Sequence, residues 1–288
     1  MMGYSWPGGA RLALSIVVNV EEGAEFNIQD GDRGPEPVDE LGITLKKPVR
    51  NFGNESNYAY GIQEGAPRVL GLLARHSVPA TFTAAAVALE RAPQVAQGIM
   101  SGGHEVCAHG YRWAHQLGMS EDAEREFIRK ATASIEHTTG ARPVGWLSRY
   151  LHTAETRRLL LEEGYLYHMD DYSRDEPFTD RTLAKPMVVL PYALDSNDMK
   201  MWNAPSLTPR DWLAYAIDSF DWLLAESESR PRMMSLGVHL RIIGRPGRIG
   251  ALEKFLQHVR AQGKQQVWAA RRRDIAEYYA GLVRGGLD

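Results

Sequence analysis

Arg11-Leu-Ala-Leu-Ser-Ile-Val-Val-Asn-Val20 is a near-continuous run of apolar and β-branched residues. A strand with one wet face alternates apolar and polar side chains. A run without alternation belongs to a strand buried on both faces, in a parallel sheet or barrel covered by helices. The run stops in acid, with Asn19, Glu21, Glu22 and Glu25 crowding its end and the loop after it. Carboxylates at the C-terminal end of a parallel strand face the mouth where such folds assemble their sites. A solvated acidic loop would read the same in isolation, so the rest of the chain has to decide.

Working outward, strand and helix signals alternate. Val69, Leu70, Leu72 and Leu73 suit one helical face within residues 64–75, and Pro79-Ala-Thr-Phe-Thr-Ala84 follows as a strand. A short helix over residues 93–100, entered by Pro93 and stopped by Gly102-Gly103, leads into Gly103-His104-Glu105-Val106-Cys107-Ala108-His109-Gly110-Tyr111-Arg112-Trp113. There an apolar run ends in a polar cluster, and His109 stands where a barrel strand delivers chemistry. The clearest helix spans residues 120–139: Ser120 is its N-cap, acids fill the first turn, Phe127, Ile128 and Ile135 form a sparse stripe, and Gly140 stops it. Further strands are expected over residues 143–147, 165–169, 187–190, 233–240 and 266–268, with helices over 153–163, 208–226, 250–262 and 271–283. Trp212, Tyr215 and Trp222 on the helix from Thr208 read as core packing.

Seven or eight such alternations in 288 residues predict one α/β domain, a (β/α) barrel, with an open doubly wound sheet as the alternative. Residues 27–60 are polar with little periodicity, and are expected to be a long loop or arm serving as a lid or an oligomer contact. A homo-oligomer, dimer or tetramer, is the expected assembly. A net charge of -3 with both signs interspersed leaves no basic face for nucleic acid and no polybasic arm for a membrane. The single Cys107 excludes an internal disulfide. With no long apolar run and no signal-peptide pattern over Met1 to Gly9, a cytoplasmic protein is expected.

Collected by position, the polar residues fall at strand ends. Glu21 and Glu22 end the first strand and His109 a middle one; Arg149 with His152, then Asp170 with Asp171, follow two others, and His239 with Arg241 ends the last long apolar run. A parallel barrel gathers these positions at one mouth. A carboxylate and two histidines there are the parts needed to deprotonate water, attack a carbonyl and protonate a leaving nitrogen. Hydrolysis of a C–N bond in a small-molecule substrate is the simplest chemistry they serve.

Glu21-Glu22, Gly103-His104-Glu105 through His109-Gly110, Arg142-Pro-Val-Gly-Trp146, Asp170-Asp171 and His239-Leu-Arg-Ile-Ile-Gly-Arg-Pro246 occur in the order found in the polysaccharide deacetylase (NodB-like) family, which the chain resembles over residues 6–270. Val18-Asn-Val-Glu-Glu-Gly-Ala-Glu25, Gly31-Asp32, Glu64-Gly65, His109-Gly-Tyr-Arg-Trp113 and Asn197-Asp198 resemble the branch containing metal-independent allantoinases and cyclic imide hydrolases. The resemblance implies a deformed (β/α) barrel of about seven strands and amide hydrolysis through a tetrahedral intermediate. Metal-dependent members carry two aspartates on the first strand and two histidines four residues apart. Here Trp113 stands four residues after His109, and His115 stands six after it. A three-ligand zinc site therefore lacks its spacing, and no cofactor is expected, a divalent metal such as zinc being the alternative.

The substrate class expected is a cyclic imide, a ureide or a related amide. Trp146-Leu-Ser-Arg149 stands where allantoinases carry Trp-Tyr-Thr-Gly-Arg, which weakens allantoin itself. The competing expectation is a metal-dependent deacetylase of N-acetylated sugars or peptidoglycan. His239 is the expected general acid, and one of Glu21 and Glu22, with His109 beside it, the water-activating base. Adjacent strand residues point to opposite faces, so only one of the two glutamates should enter the mouth. Trp113, Trp146, Arg149, Asp171 and Arg241 are the expected substrate-binding residues, Arg149 by forking its guanidinium onto a substrate carbonyl or carboxylate.

Overall fold

In a computed structural model of the chain, residues 4–43 and 47–286 are described. Residues 44–46 of the expected arm and the first three residues of Met1 to Gly9 lie outside them. The opening apolar run forms strand β1 (Leu12–Val20), all nine residues of which are buried. Leu12, Leu14, Ile16, Val18 and Val20 join one apolar core, and Ala13 and Val17 join another with Cys107, Tyr167 and Met169. Two cores on the two faces of one strand explain why its sequence does not alternate. Each buried aliphatic side chain contributes about 1.5–3 kcal/mol.

The other strands are β2 (Ala80–Ala84), β3 (Glu105–Ala108), β4 (Gly145–Trp146), β5 (Tyr167–His168), β6 (Phe178–Asp180), β7 (Met187–Val189), β8 (Arg232–His239) and β9 (Val267–Ala269). They lie in the order β6-β7-β5-β4-β3-β2-β1-β8, with β9 beside the start of β1. From β7 to β8 the seven consecutive strands are mutually parallel, as the expected barrel requires. The antiparallel β6 at the edge and the short β9 are additions. No ladder joins β7 to β8 among the described residues. The seam is filled by the segment after β7, which touches β8 through a single bridge, Asn197 to Gly237. Ser196 Oγ donates to the Ser235 carbonyl (2.7 Å), and the buried Arg272 donates to Ser235 Oγ (2.6 Å) and the Pro191 carbonyl (2.9 Å). The barrel is deformed because a loop and one guanidinium stand where a strand pair would close it.

Helix ends follow the expected chemistry. Ser120 Oγ accepts from the Ala123 amide (3.3 Å) at the start of the helix Glu121–Thr139, and Gly140 leaves it at φ 74°. Thr208 and Asp211 form a reciprocal cap on the helix Pro209–Glu226. That helix is not the uniform core element expected. Trp212, Ala216 and Phe220 form its buried stripe, while Tyr215 and Trp222 turn outward, Trp222 at 71% exposure. Residues 27–60 also differ from a structureless arm. Phe52–Tyr60 is a helix, capped by the Asn51 side chain, that runs through the π-turn Gly61–Gly65 into the helix Ala66–His76. Asn54 and Tyr58 are its only buried residues, so no apolar stripe announces it. Among the described residues no helix is long and apolar enough to cross a membrane.

Candidate active site

Alternation along β1 sends Asn19 and Glu21 into the barrel mouth and Glu22 toward the helices. Glu21 lines a cavity of about 200 Å³ with Asn19, His109, Trp113, Tyr192 and His239. His109 directly follows β3 and His239 ends β8, where it is the ladder partner of Asn19. Glu21 Oε1 lies 3.6 Å from His109 Nε2 and 3.5 Å from His239 Nε2. Thus one glutamate and both histidines meet at one floor. The second glutamate does not join them: Glu22 accepts from the backbone amides of Glu21 (3.0 Å) and Arg241 (2.9 Å). Burial, eased by Arg241 but reinforced by the Glu21 charge, pushes the Glu22 carboxyl up to about 7.

Charge is distributed unevenly over this floor. Burial by itself would raise the Glu21 carboxyl, but the charges of Arg241 and His239 overcome it and hold Glu21 well below the ordinary 4.5. Arg241 Nη1 donates to Glu21 Oε2 at 2.7 Å and Nε donates to Glu40 Oε1 at 2.7 Å. Burial likewise disfavours the His239 cation, yet Glu21 and Asp198 outweigh it and push His239 up to about 10. Asp198 receives His239 Nδ1–H at 2.7 Å and the His239 amide at 2.8 Å. At neutral pH the pair is therefore a carboxylate facing an imidazolium. His109 differs. Its Nδ1 lies 2.7 Å from the Leu147 carbonyl, which only accepts, and its Nε2 lies 3.0 Å from the Trp113 indole N–H, which only donates. These partners assign His109 the neutral form with the proton on Nδ1. The chain then turns at Gly110 (φ 88°), where a Cβ would lie 2.6 Å from Phe127.

Of the expected substrate-binding residues, Trp113 and Arg149 line the cavity, and Trp146, Asp171 and Arg241 do not. Arg149 reaches the cavity wall, but its fork is taken: both Glu36 oxygens accept from it, Nη1 also donates to the Trp113 carbonyl (2.6 Å), and the guanidinium stacks 3.7 Å over the Trp113 ring. It braces Trp113, and its Nε–H has no partner among the described residues. Arg241, wholly buried, braces Glu21 in the same way. Trp146 is sealed in the core, its indole donating to Gln116 (3.2 Å) and Ser148 (3.1 Å). Asp171 faces away, accepting from Arg157 (3.1 Å) and the Ser173 amide (3.0 Å). His152, bonded to the Thr153 carbonyl, also stays outside. Sequence reasoning missed Glu36 and Glu40, which nothing in a polar, aperiodic segment marks, and assigned no role to Tyr192 or Asp198.

Among the described residues no group of three or more His, Cys, Asp or Glu is placed to hold an ion. The His109 Nε2 lone pair is occupied by the Trp113 indole, Glu21 Oε2 by Arg241, and His239 Nδ1 by Asp198.

Residues 56–167 match the family model described as Polysaccharide deacetylase. A Schizosaccharomyces pombe protein assigned to the polysaccharide deacetylases is 33% identical, over 96% of this chain and 92% of its own length. Among solved structures, one from Pseudomonas aeruginosa PAO1, also assigned as a polysaccharide deacetylase, is 41% identical with a TM-score of 0.90, covering 95% of this chain and 92% of the other. The structure of PuuE allantoinase is 40% identical with a TM-score of 0.90, covering 96% and 92%. This chain belongs to the polysaccharide deacetylase family and is a hydrolase of carbon–nitrogen bonds other than peptide bonds.

Proposed function

We propose that the protein opens the ring of a small cyclic imide or ureide without a resident metal. The observation that carries this reading is the cavity of about 200 Å³ in which Glu21 Oε1 faces the His239 and His109 ring nitrogens. That volume is below the roughly 300–1,000 Å³ of sites for drug-sized ligands and suits a single small ring better than a polymer strand. The likeness to PuuE allantoinase points to the same substrate class.

In this mechanism Glu21 takes a proton from water as the oxygen attacks the carbonyl. His239 gives its Nε2 proton to the departing nitrogen. Glu21 is then a neutral acid and His239 a neutral imidazole. Because His239 is pushed up to about 10 and Glu21 is held well below 4.5, the proton runs downhill across the 3.5 Å between them and restores the starting pair. Neutral His109, locked by Leu147 and Trp113, lines the floor beside Glu21 without adding a charge that would weaken either partner.

The test is ring opening of allantoin, hydantoin and succinimide by chelator-treated protein, beside deacetylation of N-acetylglucosamine oligomers with added Zn²⁺. Turnover of a ring in chelator is the expected result. Activity confined to the sugar oligomers and dependent on Zn²⁺ would establish the deacetylase reading instead.

A further inference from the structure

A tetrahedral intermediate develops negative charge on the former carbonyl oxygen, and a hydrolase with a carboxylate base still needs a donor aimed at that oxygen. We infer that the Tyr192 hydroxyl is this donor, a catalytic residue that binds the carbonyl oxygen and holds it as the oxyanion forms. The inference rests on the hydrolytic mechanism proposed above.

Hydrogen-bond accounting fixes which way the hydroxyl points. The Val238 carbonyl only accepts, and it receives Asn19 Nδ2–H at 3.1 Å, while Thr83 Oγ1 donates to Asn19 Oδ1 at 2.7 Å. The Asn19 amide is thereby oriented, and its second N–H reaches Tyr192 Oη at 2.8 Å. Asn197 Nδ2 approaches the same oxygen at 3.4 Å. Tyr192 Oη is thus an acceptor on both protein sides, and among the described residues no group takes its proton. A phenol that accepts from two amides and donates to none has its O–H left for a ligand, and the accepted bonds polarise it toward donation.

Placement agrees. Tyr192 lines the cavity with Glu21 and His239. Asn19, which holds it, is the ladder partner of His239 and lies on the same face as Glu21, two residues on. A Cβ on Gly237 would stand 2.5 Å from Tyr192 Oη, so the hydroxyl occupies space that only glycine leaves open. Burial, with the Asp198 and Glu21 charges, pushes the Tyr192 pKa up, so the proton stays available wherever the Glu21–His239 pair is ionised.

The substitution Tyr192→Phe removes this one oxygen from an otherwise isosteric ring. With whichever of allantoin, hydantoin or succinimide the parent opens, kcat should fall roughly 10²–10³-fold. KM and both limbs of the pH profile should stay near the parent's, since no titrating group is lost. A thermal melt confirms the folded fraction to which rates are normalised. Parent-like kcat overturns the assignment, and so does a loss confined to KM, which would make Tyr192 a ground-state contact. Glu21→Gln and His239→Ala are measured in parallel. If both are inactive while Tyr192→Phe is parent-like, only the oxyanion donor is wrong; if both remain active, the base and acid are wrong whatever Tyr192 does. A parent that opens none of the three rings sinks both.

Discussion

Two histidine–aspartate pairs are buried at the ends of parallel strands in this barrel, and they carry opposite charge states. His239 at the end of β8 meets Asp198 at 2.7 Å; His168 at the end of β5 meets Asp170 at 2.6 Å. The difference lies in the third partner. Beside His239 stands the Glu21 carboxylate, and the imidazole is pushed up to about 10 despite its burial. Beside His168 stands Arg157, donating Nε–H to Nδ1 at 3.2 Å, and burial together with that guanidinium outweighs Asp170 and lowers the pKa. One ring is a proton donor aimed into a cavity; the other is a neutral strut. A histidine–aspartate pair in itself specifies neither state.

Removing the donor ring gives the largest expected effect. His239→Ala should lower kcat by roughly 10²–10⁴-fold, the worth of a general acid, in steady-state assays with whichever cyclic substrate the parent opens. Near-parent turnover would place the acid elsewhere. Next comes the third partner: Glu21→Gln should cost at least roughly 10²-fold in kcat and abolish the acidic limb of the pH profile, whereas Glu22→Gln, on the helix side of the strand, should keep both. Equal losses in the two variants would break the assignment of opposite faces.

Asp198→Asn sharpens the comparison by leaving His239 with Glu21 alone. Loss of one opposite charge at this distance moves a pKa by roughly one to three units, so the basic limb of kcat, set in the parent by His239 at about 10, should move toward neutral pH. An unmoved limb would mean that another group titrates there. The smallest kinetic effect is expected from His168→Asn, which should leave kcat near the parent's and cost about 1–3 kcal/mol in chemical denaturation by removing the ring that pairs with Asp170 and accepts from Arg157 Nε. The pH dependence of stability separates the two rings. The raised pKa of His239 contributes stability that is present below 6.5 and lost as pH rises through about 10. The lowered pKa of His168 contributes stability that is present above 6.5 and lost as pH falls. His168→Asn should therefore lose less stability than the parent between about pH 7 and pH 5.

Much of this frame is legible in the sequence. The unalternating run ending at Val20 marked a strand buried on both faces, and Ser120, Gly140 and Thr208 marked helix ends, because strand burial and capping are local physics. The helix Phe52–Tyr60 escaped because its buried side chains are an asparagine and a tyrosine, with no apolar stripe. Trp146, Arg149, Asp171 and Arg241 were placed near the mouth by their position after strands, yet their side chains serve the core or other carboxylates. Position along a strand is a matter of sequence; the direction a guanidinium takes depends on which acid waits for it, and Glu36 and Glu40 arrive from a distant loop.

By itself, then, the order of residues determined an α/β domain of parallel strands with acid and histidine at their ends, since periodicity, capping and spacing act over a few residues at a time. Only the tertiary structure decided that Glu21 enters the cavity, that His239 is charged and His168 neutral, and that Tyr192 Oη accepts from Asn19 and Asn197. Those outcomes depend on charges and hydrogen bonds between residues far apart in the chain, whose strength is set by burial and by distances of about 3 Å that no local pattern encodes.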